Sequence, residues 1–174
     1  MERTADGSIL VVVDTSCLIN FLVLDRLDIF HALRGYTFVV PNHVVAEVQE
    51  PTERTRLDAA LKAGILVECE IPDPEEIALY VALRRILGDG ESACLAVAAT
   101  RRWAMATDEK GRLRREVYDR LGESYLVNTP GILVSAIHDG IITVAEAECM
   151  REILARNRYV IDVPPFADLV GGKE

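Results

Sequence analysis

A run of apolar residues near the start of the chain ends abruptly in an aspartate. The segment 9–13 reads ILVVV, and Asp14 follows it directly. A β-branched run of this kind predicts a strand that is covered on both faces, as in a parallel sheet. Aspartate is almost never fully buried without a partner. We therefore expect the end of this strand to lie beside a group that binds the Asp14 carboxylate.

Strand and helix patterns alternate along the chain. We expect five strands, at 9–14, 37–40, 65–68, 103–107 and 124–127. This alternation predicts an α/β fold, a three-layer α/β/α sandwich with a five-stranded parallel sheet in the order 3-2-1-4-5. The length of 174 residues fits a single domain over 1–174, with a core at about 8–140 and C-terminal helices and a tail at 141–174.

Turn and capping residues predict the limits of several helices. One helical stretch runs from about Ser16 to a stop at Gly35, and Thr52 is placed to cap a later helix. Thr143 begins the last helix with the spacing of a capping box. The apolar tail that follows is interrupted by prolines, and we expect it to dock either on the core or on a second subunit.

The charge balance restricts the partners. Lys and Arg total 19 against 28 Asp and Glu, a net charge of −9, so the chain is not a general polyanion binder. The stretch from Arg101 to Arg115 nevertheless holds six cations and only two acids. No apolar run approaches the roughly 20 residues of a membrane span, and the first residues lack the apolar region of a secretory signal. We therefore expect a cytoplasmic protein.

Four acidic residues are the candidates for chemistry. Asp14 ends strand one and Asp108 follows strand four, and these strands are neighbours where the strand order reverses. Glu91 lies at the start of a helix, where the alternative role is a charge that stabilises the helix N-terminus. Glu47 lies among Val44, Val45 and Val48, a spacing that turns it toward the core, although an exposed helical glutamate is the alternative.

A cluster of carboxylates needs a cation, because like charges raise one another's pKa. Carboxylate oxygens at the mouth of a sheet suit Mg²⁺ or Mn²⁺. Zinc is not expected, because neither the three histidines nor the four cysteines have the spacing of zinc ligands. The four acids together therefore predict a metal site.

At these motifs the chain resembles the PIN-domain nucleases, and among them the VapC-like toxin ribonucleases. The resemblance covers about residues 8–140 and rests on four segments in register: VVDTSCLINFL, VPNHVVAEV, LGDGESACLAVA and MATDEKGRLR. It implies a Mg²⁺- or Mn²⁺-dependent ribonuclease that leaves a 5′-phosphate and a 3′-hydroxyl. It also implies a homodimer, and for a toxin an antitoxin partner.

The resemblance assigns roles to individual residues. Asp14, Glu91 and Asp108 would hold one or two metal ions, and Glu47 would bind directly or through water. Ser16 would position Asp14 or a water on the metal. Glu109 takes the place of a second acid that is often present in the family, one methylene longer.

The cations that follow Asp108 are candidates for contact with RNA. Lys110, Arg112, Arg114 and Arg115 are expected in one helix, where residues three or four apart share a face. Lys110 and Arg114 form one such pair, and Arg112 and Arg115 form the other. We expect one pair to contact phosphate and the other to face solvent or a partner.

Other functions for this fold class were compared with the same motifs. The acids of a receiver domain, the D-x-D of haloacid-dehalogenase-type phosphatases and the glycine-rich nucleotide loops are all absent from the expected positions. The alternative that stays open is a PIN-like RNA-binding or protein-interaction scaffold with little catalytic activity.

Overall fold

The sheet of the protein is all-parallel and has five strands in the order β3-β2-β1-β4-β5, as predicted. This computed structural model describes residues 3–5 and 7–171. The strands are β1 (Ile9–Val13), β2 (Tyr36–Pro41), β3 (Val67–Cys69), β4 (Ala104–Ala106) and β5 (Leu126–Val127). Strand β1 lies in the middle, and the fully buried Val11, Val12 and Val13 explain its apolar sequence.

Ten α-helices are formed by the described residues. They are α1 (Thr15–Leu24), α2 (Asp28–Ala32), α3 (Asn42–Glu47), α4 (Pro51–Lys62), α5 (Pro74–Leu83), α6 (Asp89–Arg101), α7 (Arg112–Arg120), α8 (Thr129–His138), α9 (Val144–Arg156) and α10 (Phe166–Val170). The capping box at Thr143 is confirmed, since its hydroxyl accepts the Glu146 N–H and the Glu146 carboxylate accepts the Thr143 N–H.

Several predicted boundaries are wrong. The single helix expected from Ser16 to Gly35 is two helices, because Asp25 adopts a left-handed conformation with φ of 55° and ends α1. The side chain of Glu50, rather than Thr52, caps α4 by accepting the Glu53 N–H. The first half of the predicted fifth strand is a 3₁₀ turn over Glu123–Tyr125. Helix α9 is followed by the short helix α10, which prolines at 164 and 165 had obscured.

The C-terminal segment, residues 157–171, packs against the rest of the chain. The Arg151 guanidinium on α9 donates to the carbonyls of Ile161, Val163 and Pro164 at 3.1, 2.9 and 2.8 Å. The Phe166 side chain is fully buried beneath Arg151. Of the two dockings that the sequence left open, the structure shows docking on the core, and this places residues 159–163 beside the carboxyl ends of β4 and β5.

Candidate metal and RNA site

Asp14 ends β1 and is held in place through only one of its two oxygens. The side chain is 1% exposed. Its Oδ2 accepts hydrogen bonds from the hydroxyls of Ser16 at 2.8 Å and Thr107 at 2.9 Å. Its Oδ1 is buried and has no hydrogen-bond partner among the described residues. A buried carboxylate oxygen without a donor is costly, so Oδ1 is the atom of this site that most needs a cation.

The electrostatics of Asp14 agree with this geometry. Burial, with a further contribution from the nearby Glu91 carboxylate, raises the pKa of Asp14 to about 6, although the hydroxyls of Ser16 and Thr107 partly offset the rise. The carboxylate is therefore kept in a place where its negative charge is poorly solvated. A bound divalent cation would reverse this penalty.

Glu47 and the N-terminus of α6 are in close contact. Glu47 ends α3, and its carboxylate accepts the Gly90 N–H at 2.8 Å and the Thr15 hydroxyl. The residue is exposed rather than turned toward the core, which corrects the expectation from its apolar neighbours. A Cβ on Gly90 would lie 2.5 Å from Glu47 Oε2, so a larger residue here would displace the Glu47 carboxylate.

Glu91 has a structural role as well as a place in the acidic cluster. Its Oε2 accepts the Gly88 N–H at 2.8 Å, which is one half of a capping box at the start of α6. Its charge also raises the pKa values of both Asp14 and Glu109. Glu91 is therefore electrostatically coupled to acids from two different strand ends.

Asp108 differs from the other acids because two donors occupy each of its oxygens. Oδ1 accepts the Thr129 N–H at 2.9 Å and the Tyr159 hydroxyl at 2.6 Å. Oδ2 accepts the Asn20 amide at 2.9 Å and the Thr129 hydroxyl at 2.5 Å. A carboxylate has about four lone-pair sites. We call Asp108 with Asn20, Thr129 and Tyr159 the Asp108 hub, and it ties together α1, α8 and the C-terminal segment.

Glu109, the residue after Asp108, has different surroundings. The residue is exposed, and its N–H bonds to the Thr107 hydroxyl at 3.2 Å. Partial burial, followed by the charges of Glu91 and Asp108, raises the pKa of its carboxyl. Glu109, unlike Asp108, has no hydrogen bond to its carboxylate from the described residues.

A pocket of about 340 Å³ opens beside Asp108 and Glu109. We call it the side pocket. Lys110 and Arg114 line it, whereas Arg112 and Arg115 do not, so the structure separates the two predicted pairs of cations. Lys110 precedes α7 instead of belonging to it, which corrects the expectation of one helix. Its ammonium lies 3.8 Å from the Asp162 carboxylate of the C-terminal segment.

Comparison with known proteins decides the family. A family model described as a PIN domain matches residues 10–163. The chain belongs to the PIN-domain family. A search of curated proteins finds no significant relative. Among solved structures, the fold is similar to a PilT N-terminus domain protein from the hyperthermophilic archaeon Sulfolobus solfataricus P2, at 17% identity and a TM-score of 0.50, covering 74% of this chain and 94% of the other.

PIN domains are generally metal-dependent nucleases, and this one has oxygen donors that suit a divalent ion. The unpartnered Oδ1 of Asp14 and the free carboxylate of Glu109 are hard oxygen donors of the type that Mg²⁺ and Mn²⁺ prefer. Across residues 3–5 and 7–171, no three acidic, histidine or cysteine side chains are already gathered as one ligand set. The donor types fit a divalent ion, while Glu47 and Glu91 of this PIN domain bind backbone amides at the start of α6.

Sequence analysis missed Asn20, Thr129 and Tyr159. Thr129 precedes Pro130 and carries only the sequence signal of a helix start, and Tyr159 lies within the C-terminal tail. Asn20 carried a detectable signal, since it lies four residues after Ser16 on the otherwise apolar face of α1 and is buried. A buried amide on an apolar face needs a partner, and here the partner is Asp108. In the part of this PIN domain that is described, no helix is long and apolar enough to cross a membrane.

Proposed function

We propose that this PIN domain is a Mg²⁺- or Mn²⁺-dependent ribonuclease that hydrolyses RNA to products with a 5′-phosphate and a 3′-hydroxyl. The observation that carries the proposal is the buried Oδ1 of Asp14, which has no donor among the described residues and lies where the strand order reverses. The family resemblance supplies the reaction, and the basic residues beside Glu109 support a polyanionic substrate.

We assign the ligands as Asp14, Glu91 and Glu109, with Glu47 binding through water. Glu109 takes the position that the sequence had given to Asp108, because the four hydrogen bonds of Asp108 leave its carboxylate no free site. Asp108 then acts as a positioning residue for the turn that carries Glu109. A bound divalent ion would supply an acidified water and would neutralise charge on the phosphate.

The other residues of the site have distinct tasks. Ser16 and Thr107 orient Asp14 by donating to Oδ2, which leaves Oδ1 directed at the metal. To hold the ion, Glu91 would exchange its contact with the Gly88 amide, and Glu47 would hold a water on the ion. Lys110 and Arg114 bind phosphate oxygens of the RNA, and Arg suits a phosphate through its paired donors.

The test is cleavage of a single-stranded RNA by Asp14→Asn in the presence of Mn²⁺. We expect cleavage to fall by orders of magnitude, because the variant loses the ligand with the free oxygen. Asp119→Asn is the matched control, since Asp119 is an exposed acid on α7, and it should cleave like the wild type. Cleavage that survives in Asp14→Asn, or in the presence of a chelator, contradicts the proposal.

A second candidate is a metal-free scaffold that binds RNA or protein. The observation in its favour is that Glu47, Glu91 and Asp108 all accept backbone amides in the described structure. A thermal melt separates the two candidates. Millimolar Mn²⁺ should raise the melting temperature of a ribonuclease of this type, whereas a scaffold should melt at the same temperature with and without the ion.

The resemblance to VapC-like toxins supports a further part of the proposal, namely that the chain is a cytoplasmic homodimer controlled by an antitoxin. Ile77 and Val81 lie one turn apart on α5 and are 45% and 54% exposed, which leaves an apolar strip for a protein partner. Light scattering on the purified chain would measure the dimer. Co-expression with the product of a small neighbouring gene would test the antitoxin.

A further inference from the structure

We infer that the side pocket binds a single nucleotide of the RNA strand adjacent to the cleaved bond. This inference rests on the proposed ribonuclease function, but it concerns a cavity that shares only Glu109 with the proposed metal ligands. The volume of about 340 Å³ lies within the range of about 300–1,000 Å³ that is usual for small-ligand pockets. The pocket also adjoins Glu109, so a nucleotide bound there is next to the proposed metal.

The walls combine apolar surface with a few polar groups, as ligand pockets do. The apolar residues come from three parts of the chain: Leu126, Pro130, Val160 and Val163. Val160 is 69% exposed, which is unusual for a large aliphatic side chain in a segment that is otherwise anchored. A base in the pocket would cover this surface.

Arg114 is oriented in advance to bind a phosphate. Its Nε donates to the Tyr118 hydroxyl at 2.7 Å, and its guanidinium lies 5.3 Å from the centre of the Tyr118 ring. Among the described residues, its two terminal nitrogens make no hydrogen bond or ion pair. Tyr118 therefore fixes the group while both terminal nitrogens stay free, and a fixed donor pair loses less entropy on binding.

Asn128 supplies a donor for the base or the ribose. Its Oδ1 accepts the Gly131 N–H at 2.9 Å and caps α8. This bond fixes the orientation of the amide. The Nδ2 group has no partner among the described residues, although Asn128 lines the pocket. A nucleotide carbonyl or hydroxyl oxygen is the acceptor that fits it.

Lys110 adds a second cation that a phosphate can recruit. Its partner Asp162 is 3.8 Å away, and the two side chains are 72% and 86% exposed. An exposed pair of this kind is weak. A phosphate can therefore replace Asp162 without a large penalty. Two other acids line the pocket. Glu109 would be neutralised by a bound metal ion, and the Asp108 carboxylate is occupied by its four hydrogen bonds.

The wall formed by the C-terminal segment is held rigidly. Tyr159 donates to Asp108, and the three carbonyl contacts of Arg151 fix residues 161–164. The pocket is thus formed before any ligand arrives. Pre-formed walls favour recognition of a nucleotide over attraction of an anion alone.

The test is calorimetric titration with uridine 5′-monophosphate in millimolar Mn²⁺. This probe has no phosphodiester bond, so the active protein does not consume it. Arg114→Ala should raise the Kd at least tenfold, as expected for a lost charge-assisted hydrogen bond. Arg115→Ala is the matched control, because it removes the same charge from the next residue of α7, outside the pocket, and its Kd should stay within about twofold of the wild type.

A second variant addresses the polar end of the pocket. Asn128→Ser keeps a side-chain oxygen for the cap of α8 but removes the amide donor. It should weaken binding of the nucleotide while leaving binding of inorganic phosphate unchanged. If Arg114→Ala fails to fold, Asn128→Ser alone tests whether the side pocket binds a nucleotide.

Three results would overturn the inference: equal losses in Arg114→Ala and Arg115→Ala, inorganic phosphate binding as tightly as the nucleotide, or no binding at all. RNA cleavage is measured in parallel. Cleavage without nucleotide binding contradicts nucleotide binding in the side pocket and leaves the proposed function intact. Nucleotide binding without cleavage contradicts the ribonuclease activity and leaves nucleotide binding in the pocket intact.

Discussion

At the scale of the residue, two neighbouring acids at the end of β4 have opposite surroundings. Asp108 accepts four hydrogen bonds within the protein, whereas Glu109 faces the acidic cluster without a donor to its carboxylate from the described residues. Both residues follow β4 in a loop, so their surroundings are set by the contacts of each side chain. This difference is the basis for proposing Glu109 as the metal ligand and Asp108 as a positioning residue.

Substitution of the two acids should separate their roles. Glu109→Gln should abolish Mn²⁺-dependent cleavage and leave the melting temperature in chelator unchanged, because no hydrogen bond is lost. Asp108→Asn should lower the free energy of unfolding by about 1–3 kcal/mol, because the amide nitrogen cannot accept its two donors. Chelator melts and cleavage assays on both variants measure this. A stable, inactive Asp108→Asn would restore Asp108 as the ligand.

The raised pKa of Asp14 predicts a pH dependence of stability. In chelator, the free energy of unfolding should fall as the pH rises from about 4 to above 6, because the unfolded chain ionises this carboxyl at lower pH than the folded protein does. Asp14→Asn should lack this fall and should be at least as stable as the wild type at pH 7. Urea unfolding at several pH values measures the difference. Parallel pH curves for the two proteins would contradict the prediction.

These residues also show what the sequence can predict. The acids were found because strand ends in a parallel sheet meet at one edge, which is a property of topology. The four hydrogen bonds of Asp108 could not be predicted from the sequence, because their donors Asn20, Thr129 and Tyr159 are distant along the chain. Tyr159 was missed because its contact with Asp108 spans 51 residues and no local pattern specifies it.

At the scale of the element, the site depends on how α3 meets α6. The Glu47 carboxylate caps the N-terminus of α6 by accepting the Gly90 N–H, and the missing Cβ of Gly90 makes room for it. This contact brings Glu47 beside Glu91, which lies one residue after Gly90. This one contact therefore places Glu47 of α3 near Glu91 of α6, the two candidate ligands from different helices.

A double substitution tests this packing. Gly90→Ala should lower the free energy of unfolding by no more than about 1 kcal/mol, because the exposed Glu47 carboxylate can move away from the new methyl group but loses its bond to the Gly90 N–H. In a Glu47→Ala background the same change should instead stabilise α6 by up to about 1 kcal/mol, since alanine is the better helix former. Denaturant unfolding of the four proteins gives the cycle. Equal effects of Gly90→Ala in both backgrounds would show that the contact is unimportant.

At the scale of the whole molecule, the C-terminal segment completes the site. It was predicted as a tail with two docking choices, and it lies on the core through Phe166 and Arg151. The sequence could predict that it docks, from its apolar content. It could not predict where, because the anchor is one arginine that binds three backbone carbonyls.

Arg151→Ala should loosen this segment. We expect faster amide hydrogen exchange around residues 159–166 and a loss of about 1–3 kcal/mol in unfolding free energy. Arg156→Ala is the matched control on the same helix, because Arg156 forms an exposed ion pair with Glu152. Arg156→Ala should change the free energy of unfolding by no more than about 0.5 kcal/mol. It should leave amide exchange around residues 159–166 like that of the wild type. Similar exchange in the two variants would contradict the anchoring role.

The Asp108 hub has a consequence for the order in which the contacts of the protein can form during synthesis. Its members are far apart along the chain: Asn20 precedes Asp108 by 88 residues, and Tyr159 follows it by 51. A chain emerging from the ribosome exposes the early acids long before Tyr159. Until then, one of the four bonds on Asp108 cannot form, and the side pocket lacks its outer wall. The complete set of four hydrogen bonds on Asp108 can therefore form only after the chain as far as Tyr159 has left the ribosome.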